Sequence, residues 1–255
     1  MKIVSWNVNS LNVRLPHMFS YLEYAQPDVL VLQETKLTDE KFPVAEIEAA
    51  GYHVVYSGQK TYNGVAILSK SPMTDVIVDV DDLEDPQRRI LSATINGVRV
   101  LNLYVVNGKA VGDEKYEHKL FWLKRVTAHI ASEIKQYENV VILGDFNIAP
   151  EDRDVHDPLA WKDQILCSVP EREALQKIMN CGLVDTFRIH HEQAGVYSWW
   201  DYRAGGFRRN QGLRIDLILA SPALAQKCIA AGIDQEPRTW ERPSDHTPVW
   251  AEFAL

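Results

Sequence analysis

The chain is poor in the features that mark exported, membrane-bound or disulfide-framed proteins. Its 255 residues include three cysteines, Cys167, Cys181 and Cys228. An odd number with no C-x-x-C spacing argues against a disulfide frame or a zinc site and fits free thiols in a reducing compartment. No uninterrupted apolar run approaches the roughly 20 residues that a membrane-spanning helix needs, so no membrane partner is expected. Residues 1–6 already read as a strand, interrupted by Asn7, rather than as a signal peptide, and a cytoplasmic location is the expectation. Low-complexity tracts are missing, as is any Pro/Gly/Ser linker long enough to divide the chain. One domain spanning residues 1–255 is therefore expected. Nothing in the pattern asks for an oligomer, so a monomer is expected.

Positive charge is also in short supply: 27 Lys and Arg face 35 Asp and Glu, a formal net charge of −8. Taken alone, that balance speaks against a nucleic-acid partner. The charges are segregated, however. Acids crowd between Asp79 and Asp85, while bases gather at Arg88-Arg89, Lys109, Lys115, Lys119, Lys124-Arg125 and from Arg203 to Arg214. A basic face on an acidic protein can still engage phosphates. Charge leaves the partner open.

What the chain does have is short apolar, β-branched runs separated by turn residues. They predict strands at 2–6, 28–33, 53–57, 64–69, 90–95, 99–104, 139–143, 213–220, 230–235 and 249–253. Asn96-Gly97 between two of them is a hairpin signal. Helical periodicity covers 15–23, with Pro16 tolerated in its first turn. It recurs at 114–136 and at 170–180, the latter ending at Gly182. Strands mixed with helices, plus a hairpin, favour an α/β architecture with mixed sheets. Trp6-Asn7-Val8 and Phe146-Asn147-Ile148 each place aromatic–Asn–aliphatic at a strand end, as two halves feeding one site would.

Polar residues at the ends of apolar strands are the chemical signal. Asp145 and Asn147 follow the buried run 140–143 and the exit Gly144. Being two apart, they face the same way while Phe146 faces the core. An Asx turn before Pro150 explains them structurally; proton handling and phosphate positioning explain them functionally. Glu34 ends the apolar run 29–33, where a bare carboxylate is costly. Either a salt bridge to Lys36 or a hard cation such as Mg²⁺ would satisfy it. Asp216 is a charge inside an apolar strand, and a hydrogen bond to an imidazole accounts for it; His246, beside Asp245, is the candidate partner. The stretch 197–209, with Trp199, Trp200 and Arg203, interleaves aromatics, guanidinium groups and glycine. It could stack on bases or sugars, or be an ordinary hairpin with core tryptophans. Asn63-Gly64 and Arg88-Arg89 could be a turn and a solvated pair.

Taken together these clusters resemble the exonuclease III family of abasic-site endonucleases, within the DNase I-like phosphodiesterase superfamily. The likeness runs along essentially the whole chain. Its anchors are Ser5-Trp6-Asn7-Val8-Asn9-Ser10, Leu32-Gln33-Glu34-Thr35-Lys36, Asn63-Gly64-Val65-Ala66-Ile67, Gly144-Asp145-Phe146-Asn147-Ile148-Ala149-Pro150, Gly212-Leu213-Arg214-Ile215-Asp216 and Ser244-Asp245-His246-Thr247-Pro248-Val249. The resemblance implies a four-layer α/β sandwich, two mixed β-sheets packed face to face and flanked by helices. It implies a Mg²⁺-dependent enzyme (Mn²⁺ being the alternative ion) that cuts double-stranded DNA 5′ to abasic sites or clears damaged 3′ ends. Glu34 would hold the ion, with Asn7 and Asp245 completing its surroundings. Asp216 would orient His246, which would contact the scissile phosphate or its attacking water. Asp145 would move the proton, and Asn147 and Tyr104 would hydrogen-bond the phosphate. Trp199 and Trp200 would wall a pocket for an extruded, baseless sugar, with Arg203, Arg88, Asn63 and Lys36 as further substrate contacts. The loop 151–170 departs from the family pattern, and bulk there would favour 3′-end trimming over abasic incision. A lipid or inositol phosphate substrate, or a damage-binding module with a dead site, are the competing readings.

Overall fold

The computed structural model describes residues 1–80, 83 and 85–255, so Asp81, Asp82 and Glu84 of the acidic run lie outside the described residues. Fourteen described strands and six α-helices form the chain. One six-stranded sheet comprises β1 (Lys2–Asn7), β2 (Val29–Gln33), β3 (His53–Ser57), β4 (Val65–Ser69), β13 (Cys228–Ile233) and β14 (Val249–Phe253), in the order β13-β14-β1-β2-β4-β3. The other comprises β5 (Thr74–Val78), β6 (Ile90–Ile95), β7 (Val98–Tyr104), β8 (Val140–Asp145), β9 (Val184–Asp185) and β12 (Asp216–Ala220), in the order β5-β6-β7-β8-β12-β9. A short ribbon pairs β10 (Trp199–Trp200) with β11 (Gly212–Leu213). Each large sheet is antiparallel except for one parallel pair, β1 with β2 and β7 with β8. Those pairs are bridged by the helices α1 (Leu11–Ala25) and α3 (Glu114–Gln136), since parallel neighbours need a crossover.

Strand alternation sends one set of side chains between the sheets and the other outward. Ile3, Val31 and Ile67 meet Leu91, Val100 and Val141 in a buried middle layer. On the outer face of the first sheet, Val4, Leu30 and Leu68 pack on Met18 and Leu22 of α1 and Ile47 of α2 (Val44–Ala49). On the outer face of the second, Leu101, Ile142 and Leu219 pack on Trp122, Val126 and Ile130 of α3 and Ile178 of α4 (Val169–Met179). This is the expected four-layer sandwich. Two short helices, α5 (Thr186–His190) and α6 (Pro222–Ala225), complete it. Among the described residues no helix is long and apolar enough to cross a membrane.

The middle layer is not purely apolar. Gln33 Nε2 donates to Asn102 Oδ1 at 2.7 Å and to Ser5 Oγ at 3.1 Å. Asn102 Nδ2 donates back to the Leu32 and Ala66 carbonyls at 2.9 and 3.0 Å. All three side chains are fully buried, and the pairing satisfies groups that would otherwise be costly to bury.

Four expectations needed correction. The first helix starts at Leu11, not residue 15, because the Ser10 and Leu11 amides hang from the Glu34 and Thr35 carbonyls. Pro16 therefore lies within the helix rather than in its first turn. The predicted strand 213–220 is two strands, β11 and β12. Arg214 breaks it by turning its guanidinium to Asp154 and Asp185 at 2.7 Å each. The edge strand β5 was missed: Val76, Ile77 and Val78 are exposed there and follow no alternation. Finally, the basic face loses three members, since Arg89, Lys119 and Arg214 are buried.

Candidate active site

The ends of β1, β2, β8 and β12 bring the polar clusters to one edge of the sandwich. The backbone there is unusual. Gly144 has φ 146°, and a Cβ at that position would lie 1.8 Å from the Leu103 carbonyl oxygen. Only glycine lets β8 run this close to β7 before Asp145. Glu34 (φ 52°) and Asn147 (φ 48°) sit in the left-handed region, a conformation uncommon outside glycine that concentrates at functional sites.

Glu34, Asp145 and His246 each offer a ligand atom within 4.8 Å of one another. Asn7 ties the two carboxylates together: its Nδ2 donates to Glu34 Oε1 and Asp145 Oδ2, both at 2.9 Å. Its Oδ1 accepts the Asn9 amide at 3.0 Å. Asn7 thus orients the carboxylates from the first sheet to the second and has its own oxygen occupied. Asp216 Oδ2 lies 2.8 Å from His246 Nδ1, and His246 Nε2 is 3.6 Å from Asp145 Oδ2. The Asp–His partnership expected from the sequence is present.

Electrostatics divides these groups. Burial pushes the Asp145 carboxyl above the ordinary carboxylate range, against the nearby His246 charge. Burial alone would lower His246, but Asp216 and then Asp145 hold its proton and raise it. For Glu34, burial raises the carboxyl, yet Lys36, Asn7 and His246 outweigh it and keep it ionised below its usual range. Tyr104 stays neutral: burial, then Glu34 and Asp145, raise its hydroxyl well above normal. The Arg89 guanidinium covers its ring at 4.7 Å.

The structural readings of two residues hold. Lys36 Nζ is 3.0 Å from Glu34 Oε2, and Asp145 Oδ1 accepts the Asn147 amide at 2.9 Å in an Asx turn. Asn147 Nδ2 donates to the Val105 carbonyl at 2.9 Å and, at 3.3 Å, to Asp145 Oδ2. Phe146 between them is fully buried, as the alternation required.

Other candidates lie further from this convergence. Asp245 is outside the three-group cluster. Its Oδ1 accepts Asn9 Nδ2 and its Oδ2 accepts Trp199 Nε1, each at 3.0 Å. Trp200 is fully buried against Phe207, so of the two adjacent tryptophans only Trp199 is partly exposed; strand neighbours face opposite ways. Arg203 is 91% exposed beside Asp201. Arg88 is paired with Asp79 at 2.8 Å. Asn63 is buried, and its carbonyl accepts the Lys36 amide at 2.9 Å, fixing the turn that carries Glu34.

Three residues of this site escaped the sequence reading. Asn9 bonds Lys36 and Asp245; its signal was the period-two spacing from Asn7. Asn107 Nδ2 donates to Asn147 Oδ1 at 3.1 Å. Lys119 donates to the Asn147 carbonyl at 2.7 Å; its signal was its place between Tyr116 and Leu123 on the buried stripe of α3. The loop after β8 packs inward through Val155 and Leu166, and Trp161 stands edge-on to Trp199 at 6.4 Å.

With this geometry in hand, comparison with known proteins is specific. Residues 4–246 match the model of the Endonuclease/Exonuclease/phosphatase family. Exodeoxyribonuclease III of Haemophilus influenzae is 38% identical over 266 residues, which covers 99% of this chain and 100% of that one. The structure of the 3′ phosphatase NExo from Neisseria, bound to a product DNA hairpin, is 49% identical with a TM-score of 0.98 and full coverage of both chains. An AP endonuclease from Archaeoglobus fulgidus is 39% identical with a TM-score of 0.96, again over both whole chains.

Proposed function

Because the chain belongs to the Endonuclease/Exonuclease/phosphatase family, we propose that it is a metal-dependent DNA-repair hydrolase that works as a monomer in the cytoplasm. It cleaves phosphoester bonds at abasic sites and at damaged or blocked 3′ ends of duplex DNA, with 3′-end processing as its main activity. The observation that carries the assignment is the convergence of Glu34, Asp145 and His246 within 4.8 Å.

The donor set suits a hard divalent ion. Glu34 is ionised, Asp145 lies beside it, and Asn7 fixes the separation of the two carboxylates. We assign Mg²⁺ to this place, with Mn²⁺ able to replace it. Glu34 would be the principal ligand, and Asp245 would contribute from farther out. Bound there, the ion supplies Lewis-acid charge to a phosphoryl oxygen and makes water easier to deprotonate.

The protein's own groups do the rest. Asp216 keeps His246 protonated, so the imidazolium offers positive charge where the phosphoryl oxygens gain negative charge. Tyr104 is a neutral hydroxyl donor beside them. Asn147 can give its longer 3.3 Å bond to Asp145 over to a phosphate oxygen while keeping its bond to Val105. Asp145 then takes the water proton or passes one to the leaving 3′ oxygen. Trp199 offers a ring to the sugar, with Trp161 edge-on to it at 6.4 Å, while Trp200 stays buried against Phe207. An abasic nucleotide has lost its stacking and pairing, which makes its extrusion cheaper.

The preference for 3′ ends rests on the loop 151–168. Trp161 and the buried Leu166 fill space beside Trp199, which narrows the room for an extruded sugar. Likeness to the Neisseria 3′ phosphatase points the same way. The test compares a duplex with one internal abasic site against a duplex with a phosphate-blocked recessed 3′ end, each with Mg²⁺ and with chelator. The blocked end should be cleared at least about ten-fold faster, a difference of about 1.4 kcal/mol in barrier. Faster nicking 5′ to the abasic site would reverse the preference, and inactivity on both with hydrolysis of an inositol phosphate would overturn the DNA assignment.

A further inference from the structure

Glu34 follows a strand of the first sheet and Trp199 belongs to the separate β10–β11 ribbon, yet four polar contacts in series join them. Lys36 Nζ lies 3.0 Å from Glu34 Oε2 and donates to Asn9 Oδ1 at 2.6 Å. Asn9 Nδ2 donates to Asp245 Oδ1 at 3.0 Å, and Asp245 Oδ2 accepts the Trp199 indole N–H at 3.0 Å. Each link has one allowed direction. An ammonium only donates and an ionised carboxylate only accepts, so the side chain between Lys36 and Asp245 must accept at one end and donate at the other. Asparagine does both, and its two neighbours fix which way its amide points.

Asn9 reaches Glu34 by a second route as well. Its backbone N–H donates to Asn7 Oδ1, and Asn7 Nδ2 holds Glu34 Oε1. Both oxygens of the carboxylate are thus set through Asn9, one by Lys36 and one by Asn7. The residue itself is held in the left-handed region at φ 42°, with its carbonyl bonded by Arg14. Asn9 therefore stands where the cation site and the sugar-facing ring meet.

Resting on the function proposed above, we infer that Asn9 is a positioning residue that couples cation binding at Glu34 to ordering of the Trp199 ring. A cation that takes up the charge of Glu34 leaves Lys36 to Asn9, which strengthens the bonds onward to Asp245 and the indole. Hydrogen bonds in a chain polarise one another, and coupling between two binding events acts equally in both directions. Losing the indole N–H must then weaken the cation, although Trp199 bonds neither Glu34 nor Asn7 and touches only Asp245, the outermost of the groups assigned to the site.

The experiment measures Mn²⁺ affinity by electron paramagnetic resonance on the full-length protein without DNA, so activity is not the readout. Trp199→Phe removes the indole N–H together with its five-membered ring and should weaken Mn²⁺ about 3-fold; Asn9→Ala, which breaks the side-chain route through Lys36 and Asp245 but keeps the backbone N–H to Asn7, should weaken it about 10-fold. Glu34→Ala serves as the reference and should abolish the site. Unchanged affinity in Trp199→Phe, with Glu34→Ala binding lost, overturns the coupling and leaves the proposed function standing. Undiminished binding in Glu34→Ala overturns the ligand assignment and the coupling with it. Should Asn9→Ala fail to fold, Trp199→Phe alone decides.

Discussion

Asp145→Asn should slow phosphoester cleavage on the order of 10²–10⁴-fold, the range that a positioned proton-transfer group supplies, while leaving the fold nearly as stable. Both halves follow from the same surroundings. Asp145 is buried, and burial raises its carboxyl because the charged form is poorly solvated there. A neutral amide of the same shape removes that cost and can still accept the Asn147 N–H through Oδ1. What it cannot do is take a proton. The other end of the amide would also present hydrogens to Asn7 Nδ2 and His246 Nε2, both of which now face an acceptor or a charge partner. Single-turnover cleavage of the blocked 3′-end duplex, with thermal unfolding of the same sample, tests the pair of claims. Near-normal turnover would remove Asp145 from proton handling, and a large fall in melting temperature would show that its role is structural.

A larger effect on stability is expected from Lys119→Met. Lys119 and Glu171 are both fully inaccessible and form an ion pair. Glu171 also accepts the Leu166 and Ser168 amides at 3.1 Å each and the Ser168 hydroxyl at 2.6 Å. Removing the ammonium leaves that carboxylate buried without its counter-charge, which costs about 3–5 kcal/mol. The Asn147 carbonyl loses a 2.7 Å bond at the same moment. Activity should therefore fall by more than unfolding explains, although Lys119 reaches no substrate. Urea unfolding and turnover below the unfolding transition measure the two effects. The double variant Lys119→Met/Glu171→Gln should regain part of the stability, since no unpaired charge remains, but not the activity. If the double variant is no more stable than the single one, the buried charge is not the source of the loss.

These two residues also mark how far the sequence could be read. Asp145 was visible because a carboxylate at the end of an apolar strand has few explanations, and the same logic exposed Glu34, Asp216 and His246. Lys119 was misassigned to a basic surface because a lone lysine in a helix is usually solvated. Its partners, Glu171 and the Asn147 carbonyl, are 52 and 28 residues away. Trp200 failed for a related reason: composition marks an aromatic cluster but not which ring turns inward. The split of 213–220 was hidden because Arg214 leaves the strand for carboxylates contributed by two distant segments, at Asp154 and Asp185. Apolar alternation announces layers and strand ends. Contacts between charged side chains far apart in the chain leave no such periodic trace.

The buried trio Ser5, Gln33 and Asn102 has a further consequence. Two greasy surfaces pressed together have no strong preference for where one sits along the other, because hydrophobic attraction carries no direction. Amide-to-amide bonds do carry direction, and they fail when displaced by a fraction of their length. Gln33 is the residue before Glu34, and Asn102 is two before Tyr104, so the pegs stand beside the seam where each sheet delivers its share of the site. Like dowels between two planks, they give the sandwich a single alignment at the edge where a small slip would separate the reacting groups.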